Sequence, residues 1–105
     1  MSCKVKYSGA AVRDLDRVWS EVWEASKDCT TAIDYIDGLM EKIEAKSDYP
    51  ESGTPLYCEG RFTGYYFVVF RAYMAFYRLE RDMMLVDRVL FGRSDYLNHL
   101  LSPDS

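Results

Sequence analysis

Apolar side chains in the first half of the chain recur at steps of three and four residues, the spacing of a buried stripe on a helix. One such stripe runs through residues 12–23 and a second through residues 32–43. Ser8 stands where its side chain can cap the first helix, and Thr31-x-x-Asp34 resembles a capping box at the second. Because only a short polar break separates the stripes, we expect an antiparallel helical hairpin.

The remaining segments are typical of β-structure. Residues 4–7 alternate polar and apolar side chains, which predicts a strand before the helices. The turn-forming residues 49–55 end the second helix. After them, three β-prone segments predict strands at residues 65–70, 74–79 and 84–91. Their connections are short, so these strands should be antiparallel neighbours.

The end of the chain predicts one more short helix. Gly92 releases the chain from the last strand, and Ser94 is placed to cap a helix through residues 96–101 that Pro103 ends. The predicted order is therefore β-α-α-β-β-β with a short C-terminal helix. A helical hairpin that covers one face of a small antiparallel sheet belongs to the α+β class. We expect residues 1–105 to form a single domain of this kind.

Composition limits the classes of function that fit this fold. The 105 residues are 49% apolar and 29% charged, as in ordinary soluble proteins. There is no apolar run of membrane-spanning length, and the charged opening residues are unlike a secretion signal. The three cysteines lie too far apart for a zinc or redox motif, so we expect reduced thiols in a cytoplasmic protein. His99 stands without a partner motif, and we expect neither a metal nor a cofactor.

The net charge of −4 conceals an asymmetry along the chain. Residues 1–60 carry seven basic and twelve acidic side chains, whereas residues 61–93 carry six basic and three acidic ones. Every basic residue in that second block is arginine, whose planar fork binds phosphates and carboxylates. The block is therefore a candidate interaction region. The alternative is that these arginines form the solvated face of the sheet.

Four stretches of sequence, in a fixed order, resemble a known family. They are Tyr7-Ser8-x-x-Ala11-x-x-Asp14-Leu15, residues 32–43 with Tyr49-Pro50 and Gly53-x-Pro55-Leu56, Tyr73-x-x-Phe76-Tyr77-Arg78, and Arg88-Val89-Leu90-Phe91-Gly92-Arg93-x-Asp95-Tyr96. Each stretch alone is a weak signal, but the ordered set covers nearly the whole chain. It resembles the RelE/ParE superfamily of bacterial toxins.

The resemblance implies the toxin half of a type II toxin–antitoxin pair, with a helical hairpin on a twisted antiparallel sheet. It implies a cognate antitoxin whose extended tail wraps the toxin, and operator DNA bound only indirectly through that antitoxin. RelE-like members cut messenger RNA on the ribosome without a metal. ParE-like members bind DNA gyrase and trap it on DNA. The free toxin is expected as a monomer or a homodimer.

For RNA cleavage, the resemblance implies cations and an acid from Arg78, Arg88, Arg93 and Tyr96. The sequence departs from the nuclease pattern at two places. Met74 stands where RelE-like nucleases place a phosphate-binding arginine, and the loop before the predicted sheet strands contains no lysine. A sequence pI of about 4.9 also suits a site walled by ribosomal RNA poorly.

The gyrase-directed mode requires a binding surface and no catalytic set, and the closing motif of this chain resembles that of ParE-like members. The sequence therefore favours a ParE-like toxin that inhibits growth by binding DNA gyrase. The alternatives are a RelE-like mRNA endonuclease and a non-toxic orphan module of the same fold. The candidate residues for binding a partner or target are Arg71, Arg78, Arg88, Arg93, Asp95 and Tyr96.

Several of these candidates also have a purely structural interpretation. Arg78 can pair with Glu80 or Asp82 near a turn of the sheet. At the exit from the last strand, Arg93 can pair locally with Asp95, and the tyrosine that follows can pack on the sheet. Only the three-dimensional arrangement distinguishes these roles.

Overall fold

The computed structural model describes residues 3–101. Its elements are β1 (Lys4–Tyr7), α1 (Gly9–Ser26), α2 (Cys29–Glu44), β2 (Thr54–Cys58), β3 (Arg61–Phe70), β4 (Tyr73–Glu80), β5 (Met83–Phe91) and α3 (Tyr96–Leu101). Two short 3-10 helices, Ala45–Asp48 and Pro50–Ser52, connect α2 to β2. The predicted α+β class, with its helical hairpin and short final helix, is confirmed.

The side chain before each long helix caps its N-terminus. Ser8 accepts the amide hydrogen of Ala11 at 3.0 Å, as predicted. The capping box predicted from Thr31 is wrong, because α2 begins earlier and Asp28 is its cap. The Asp28 carboxylate accepts from the Thr30 amide at 3.2 Å and from the Thr31 hydroxyl at 2.7 Å. These hydrogen bonds, that of Thr31 foremost, lower the pKa of Asp28.

The strands form one five-stranded sheet in the order β1-β5-β4-β3-β2. β1 pairs in parallel with β5, and the other neighbouring strands pair antiparallel. The prediction of only three strands after the helices is wrong, because β2 forms within a segment interpreted as turn and loop. The next strand also begins earlier than predicted, at Arg61, where it pairs with Cys58 of β2.

Apolar side chains form two clusters on opposite faces of the sheet. The larger cluster lies under the helical hairpin and includes Val18, Leu39 and Tyr77. The smaller one includes Phe76 and Leu90 and packs against α3. Phe76 and Tyr77 are adjacent in sequence, so their side chains point to opposite faces of the sheet. Both are fully buried, because an apolar cluster lies on each face. The sheet is therefore covered on both sides.

The final helix forms at the predicted place, but Ser94 does not cap it. The Ser94 hydroxyl donates to the Phe91 carbonyl at 2.6 Å and its amide donates to the same carbonyl at 2.9 Å, which closes a tight turn after β5. The Asp95 carbonyl instead accepts the His99 amide hydrogen at 3.3 Å and begins the helix. Pro103, predicted to end it, lies outside the described residues.

Candidate functional site

A β-bulge interrupts β5 in the middle of the predicted arginine region. Phe76 pairs with Arg88, whereas the next residue on β4, Tyr77, pairs with Val86. Asp87 is therefore the extra residue of the bulge. A bulge of this kind bends the strand and changes the direction of the inserted side chain.

Asp87 binds two polar side chains on the face of the sheet that carries α3. Its Oδ2 atom accepts a hydrogen bond from the Tyr65 hydroxyl and one from Arg78 Nε, both at 2.9 Å. Arg78 also donates to Glu80 at 3.1 Å, so its predicted pairing near the turn is confirmed. Burial, and secondly the bond to Asp87, raises the pKa of Tyr65 to about 12. The Tyr65 hydroxyl is therefore protonated at neutral pH.

Arg88 contacts a different carboxylate, that of Asp14 in α1. The two side chains form a bidentate pair at 2.7 and 3.0 Å, and only 3% of the Asp14 side chain is exposed. Asp14 also accepts the Val89 amide hydrogen at 2.9 Å and pairs with Arg17 at 3.2 Å. Because β1 covers the edge of β5 only as far as Val86, this group fastens α1 to the uncovered part of that edge. The pairing with Asp14 raises the pKa of Arg88.

A polar cleft of about 250 Å³ lies beside these arginine–carboxylate pairs. Its lining residues are Ser8, Ala10, Tyr65, Asp87, Arg88, His99 and Leu100. A phenol, a carboxylate, a guanidinium group and an imidazole thus meet at one place, and these are groups used in acid–base chemistry. The cleft is therefore the arrangement in this structure that most resembles a catalytic site.

The positive charges at the cleft are already balanced by the protein itself. Arg78 pairs with Asp87 and Glu80, and Arg88 pairs with the buried Asp14. A phosphate in the cleft would compete with these carboxylates and would be repelled by the nearest of them. Metal-free cleavage of RNA requires cations free to stabilise the charge on the scissile phosphate. This arrangement suits that chemistry poorly.

Arg71 and Arg93 lie away from the cleft, where β4 begins and β5 ends. Both are exposed, and they line a groove together with Ala72, Phe91 and Gly92. Neither arginine forms an ion pair with another residue among 3–101. They are therefore the candidate arginines whose charge remains available to a partner.

The two other candidates, Asp95 and Tyr96, differ in their surroundings. Asp95 is exposed and accepts a hydrogen bond from Asn98, so the predicted local pair with Arg93 is replaced by a contact with a side chain of α3. The Tyr96 ring stacks on Phe76, with ring centroids 5.3 Å apart and an angle of 30°. Its predicted packing on the sheet is confirmed.

Sequence reasoning identified the arginines and the Glu80 partner of Arg78, but it missed the carboxylates of Asp14 and Asp87. For Asp14 a signal was present, since it lies three residues after Ala11 and four before Val18, on the buried face of α1. A carboxylate on a buried helix face requires a cation or hydrogen-bond donors to balance its charge. For Asp87 no signal was available, because its direction depends on the bulge. Tyr65 and His99 meet at the cleft only through the folding of distant segments.

Residues 3–101 contain no group of three or more His, Cys, Asp and Glu side chains able to hold a metal ion. In the same part of the chain, no helix is both long enough and apolar enough to cross a membrane. The three cysteines are free thiols.

The sequence matches, over residues 5–96, the family model described as the ParE toxin of the type II toxin–antitoxin system parDE. No curated protein sequence matches it significantly. Among solved structures, the fold is similar to a chain of the chromosomal ParDE toxin–antitoxin system from P. aeruginosa, with a TM-score of 0.71 and 14% identity. That likeness covers 86% of this chain and 96% of the other.

Two further structures share the fold. A chain of the toxin–antitoxin complex RelBE2 from Mycobacterium tuberculosis has a TM-score of 0.60 and 19% identity, over 87% of this chain and 99% of that one. YafQ from E. coli has a TM-score of 0.53 and 16% identity, over 86% and 93% of the two chains. At these identities the likeness concerns the fold alone.

Proposed function

Since this chain belongs to the ParE toxin family of type II toxin–antitoxin systems, we propose that it inhibits growth by binding DNA gyrase in the cytoplasm. The matched range includes every candidate residue from Arg71 to Tyr96. A gyrase poison of this kind acts through a surface, so it requires no catalytic residues of its own.

The observation that carries the proposal is that Arg78 and Arg88 are both paired with carboxylates of the protein. Arg78 and Arg88 are the cations that a nuclease of this fold would direct at RNA, and both are engaged by carboxylates at 2.9 Å or less. A bidentate partner that is almost fully buried does not release its arginine readily. Of the candidate arginines, those that remain available are Arg71 and Arg93, which lie at a groove outside the polar cleft. This distribution suits protein binding better than phosphate chemistry.

The cleft lined by Tyr65, Asp87 and His99 favours a second candidate function, RelE-like cleavage of mRNA on the ribosome. His99 is exposed and can reach a bound molecule. Against this, the Tyr65 hydroxyl is committed to Asp87, and its raised pKa makes it a weak acid for protonating a leaving group. We therefore rank this function second.

Expression of the chain under tight control tests the proposal directly. We expect growth arrest accompanied by a DNA-damage response and loss of plasmid supercoiling, with messenger RNA intact. Purified toxin should inhibit supercoiling by purified gyrase and increase the amount of gyrase-cleaved DNA. Cleavage of messages at regular codon positions on ribosomes, with unchanged supercoiling, would establish the nuclease instead.

Substitutions in the polar cleft distinguish the two functions, because the two predict very different residual toxicity for the variants. We expect Tyr65→Phe and His99→Ala to arrest growth to within about twofold of the unsubstituted toxin, since the cleft takes no part in gyrase binding. Removal of an acid or base from a nuclease site lowers the rate by about 10²–10⁴-fold. Growth curves at matched expression, with thermal unfolding of each purified variant, provide the measurement. A loss of toxicity in a variant that still folds would favour the nuclease.

We also propose a cognate antitoxin as the neutralising partner. One of the similar structures, that of RelBE2, is itself described as a toxin–antitoxin complex. Tyr57 and Phe62 are exposed apolar side chains away from the groove, with ring centroids 5.8 Å apart, and they offer such a partner an apolar contact surface. Co-expression with the product of an adjacent antitoxin-like gene should restore growth and yield a complex by size-exclusion chromatography.

A further inference from the structure

A carboxylate at the wall of the polar cleft holds two hydrogen-bond donors at a single oxygen atom. Oδ2 of Asp87 accepts from the Tyr65 hydroxyl and from Arg78 Nε, both at 2.9 Å. A phosphate oxygen accepts from the same two kinds of donor, since a guanidinium group binds carboxylates and phosphates in the same way. Asp87 therefore occupies a place where an oxygen atom of a phosphate group would find both partners.

Asp87 lies between Arg78 and the cleft. The lining of the cleft includes Tyr65 and Asp87 but not Arg78. Tyr65 and Arg78 are directly opposite each other on β3 and β4, so both donors belong to one place on the sheet. Only 17% of the Asp87 side chain is exposed, so the carboxylate is enclosed there. Removal of this carboxylate would open Arg78 to a molecule in the cleft.

Further donors are present elsewhere in the lining. Arg88 lines the cleft, and Asp14 binds only its Nε and Nη2 atoms, which leaves Nη1 without a hydrogen-bond partner among residues 3–101. The His99 side chain also lines the cleft, and it is exposed. A cleft of about 250 Å³ is thus surrounded by the kinds of donor that hold an oxyanion.

Three carboxylates pair with the arginines around the cleft, and only one of the three lines it. Asp14 is buried, and both Arg88 and Arg17 balance its charge. Glu80 is exposed and lies outside the lining. Asp87 is therefore the negative charge that a phosphate in the cleft would meet first. Repulsion between like charges is strongest at the shortest distance, so this carboxylate has the largest effect on an incoming phosphate.

We propose that Asp87 is the internal ligand of a latent phosphate site and that it excludes nucleic acid from the cleft. The carboxylate satisfies both donors from within the protein and places a negative charge where a phosphate would bind. It is also already held in place, whereas a nucleic acid loses freedom when it binds. The proposal does not depend on gyrase being the target, because it concerns only the purified toxin and nucleic acid.

The backbone around Asp87 is held by contacts that do not involve its carboxylate. Ser8 Oγ donates to the Asp87 carbonyl at 2.7 Å, and the Ser8 amide donates to the Val86 carbonyl at 2.9 Å. On the other side of the bulge, the Val89 amide donates to Asp14 at 2.9 Å. We therefore expect the bulge to keep its shape when the Asp87 side chain is replaced.

Binding of a labelled single-stranded RNA oligonucleotide to purified toxins at low salt tests the proposal. We expect Asp87→Ala, which removes the charge and frees both donors, to bind about tenfold more tightly than the unsubstituted toxin. Asp87→Asn removes the charge but still fills the place, so its gain should be clearly smaller. The matched control is Glu80→Ala, which takes a carboxylate from the same arginine outside the cleft and should stay within about twofold of the unsubstituted toxin.

The salt dependence of binding distinguishes a phosphate contact from a general change of charge. One additional phosphate contact on a single strand steepens the slope of log K against log salt by about 0.7. We expect this change for Asp87→Ala but not for Glu80→Ala. In Asp87→Ala/Arg78→Ala the gain in affinity and the change of slope should both disappear, since the freed guanidinium group is gone.

Four results would overturn the proposal, with thermal unfolding used to confirm that each variant folds. Equal RNA affinity of Asp87→Ala and the unsubstituted toxin would show that the carboxylate excludes nothing. Equal gains in Asp87→Ala and Glu80→Ala would show an effect of net charge alone, and equal gains in Asp87→Ala and Asp87→Asn would reject the occupied place. A gain that persists without Arg78 would place the phosphate elsewhere. Asp87→Ser gives the same comparisons if Asp87→Ala does not fold.

Discussion

Replacement of Arg88 by alanine should destabilise this toxin more than any other change to its arginines. The substitution leaves the Asp14 carboxylate, whose side chain is 3% exposed, without its bidentate partner. Removing one member of a buried ion pair costs about 3–5 kcal/mol, because the remaining charge is left poorly solvated. Arg17 and the Val89 amide still contact Asp14, so we expect about 3 kcal/mol. For a domain of this size that loss corresponds to a fall in Tm of roughly 10–20 °C.

Arg78→Ala is the matched control for this prediction. Arg78 also pairs with a carboxylate of the protein, but 44% of its side chain is exposed, so its loss should cost under about 1 kcal/mol. In an Asp14→Asn background, Arg88→Ala should likewise cost under about 1 kcal/mol, since a neutral amide does not require a cation. Urea unfolding of the unsubstituted toxin, Asp14→Asn, Arg88→Ala and their double variant gives the coupling free energy between Asp14 and Arg88. An equal cost of Arg88→Ala in both backgrounds would show that Asp14 is not the reason.

This prediction affects how loss of toxicity in an arginine variant is interpreted. Arg88 belongs to the motif by which the sequence resembles the toxin family, and it lines the polar cleft. A variant that fails to arrest growth because it unfolds looks the same in a plate assay as one that has lost its target. Arg88→Lys, which keeps the charge but not the bidentate geometry, should recover part of the stability and a corresponding part of the toxicity.

Most of the fold could be predicted from the sequence because its periodic signals are local. Apolar spacing located both long helices, and Ser8 was correctly identified as a cap. β2 was missed because its sequence, Thr54–Cys58, contains a proline and follows a run of turn formers. That strand lies at the edge of the sheet, where the missing amide of Pro55 is tolerated. A preference for turns was therefore overridden by pairing with the next strand, β3.

The candidate site could be predicted only in its residue types. Composition identified an arginine-rich block, but whether an arginine is available depends on what folds against it. Arg88 is engaged by a residue 74 positions away, and Arg78 by a carboxylate that a bulge redirects. Arg71 and Arg93 come together through the hydrogen bond between Gly92 and Ala72. Such relations are set by tertiary structure and leave no periodic signal.

Gly53→Ala is the second substitution from which we expect a large loss of stability. The Gly53 backbone, at φ −67° and ψ 169°, suits any residue, so the cost arises from packing alone. A Cβ atom there would overlap the Tyr77 hydroxyl oxygen and lie 2.9 Å from the Cζ atom of the ring. Tyr77 cannot move aside easily, since it is fully buried, stacks on Tyr66 at 5.6 Å and donates to the Pro50 carbonyl at 2.5 Å. Overpacking of this kind costs up to about 3 kcal/mol.

A second substitution shows whether the tyrosine is the cause. Tyr77→Phe alone should cost about 1 kcal/mol, because the Pro50 carbonyl loses the shorter of its hydrogen bonds, the other being from the Gly53 amide at 3.5 Å. In the Tyr77→Phe background, Gly53→Ala should lower the free energy of unfolding by well under half as much as it does in the unsubstituted toxin. The reason is that the hydroxyl oxygen, which the added Cβ atom overlaps most, is gone. Thermal unfolding of the two single variants and the double variant measures this coupling, and strictly additive losses would contradict it. The coupling matters beyond stability, because the Tyr77 hydroxyl fastens the segment before β2 to the centre of the sheet.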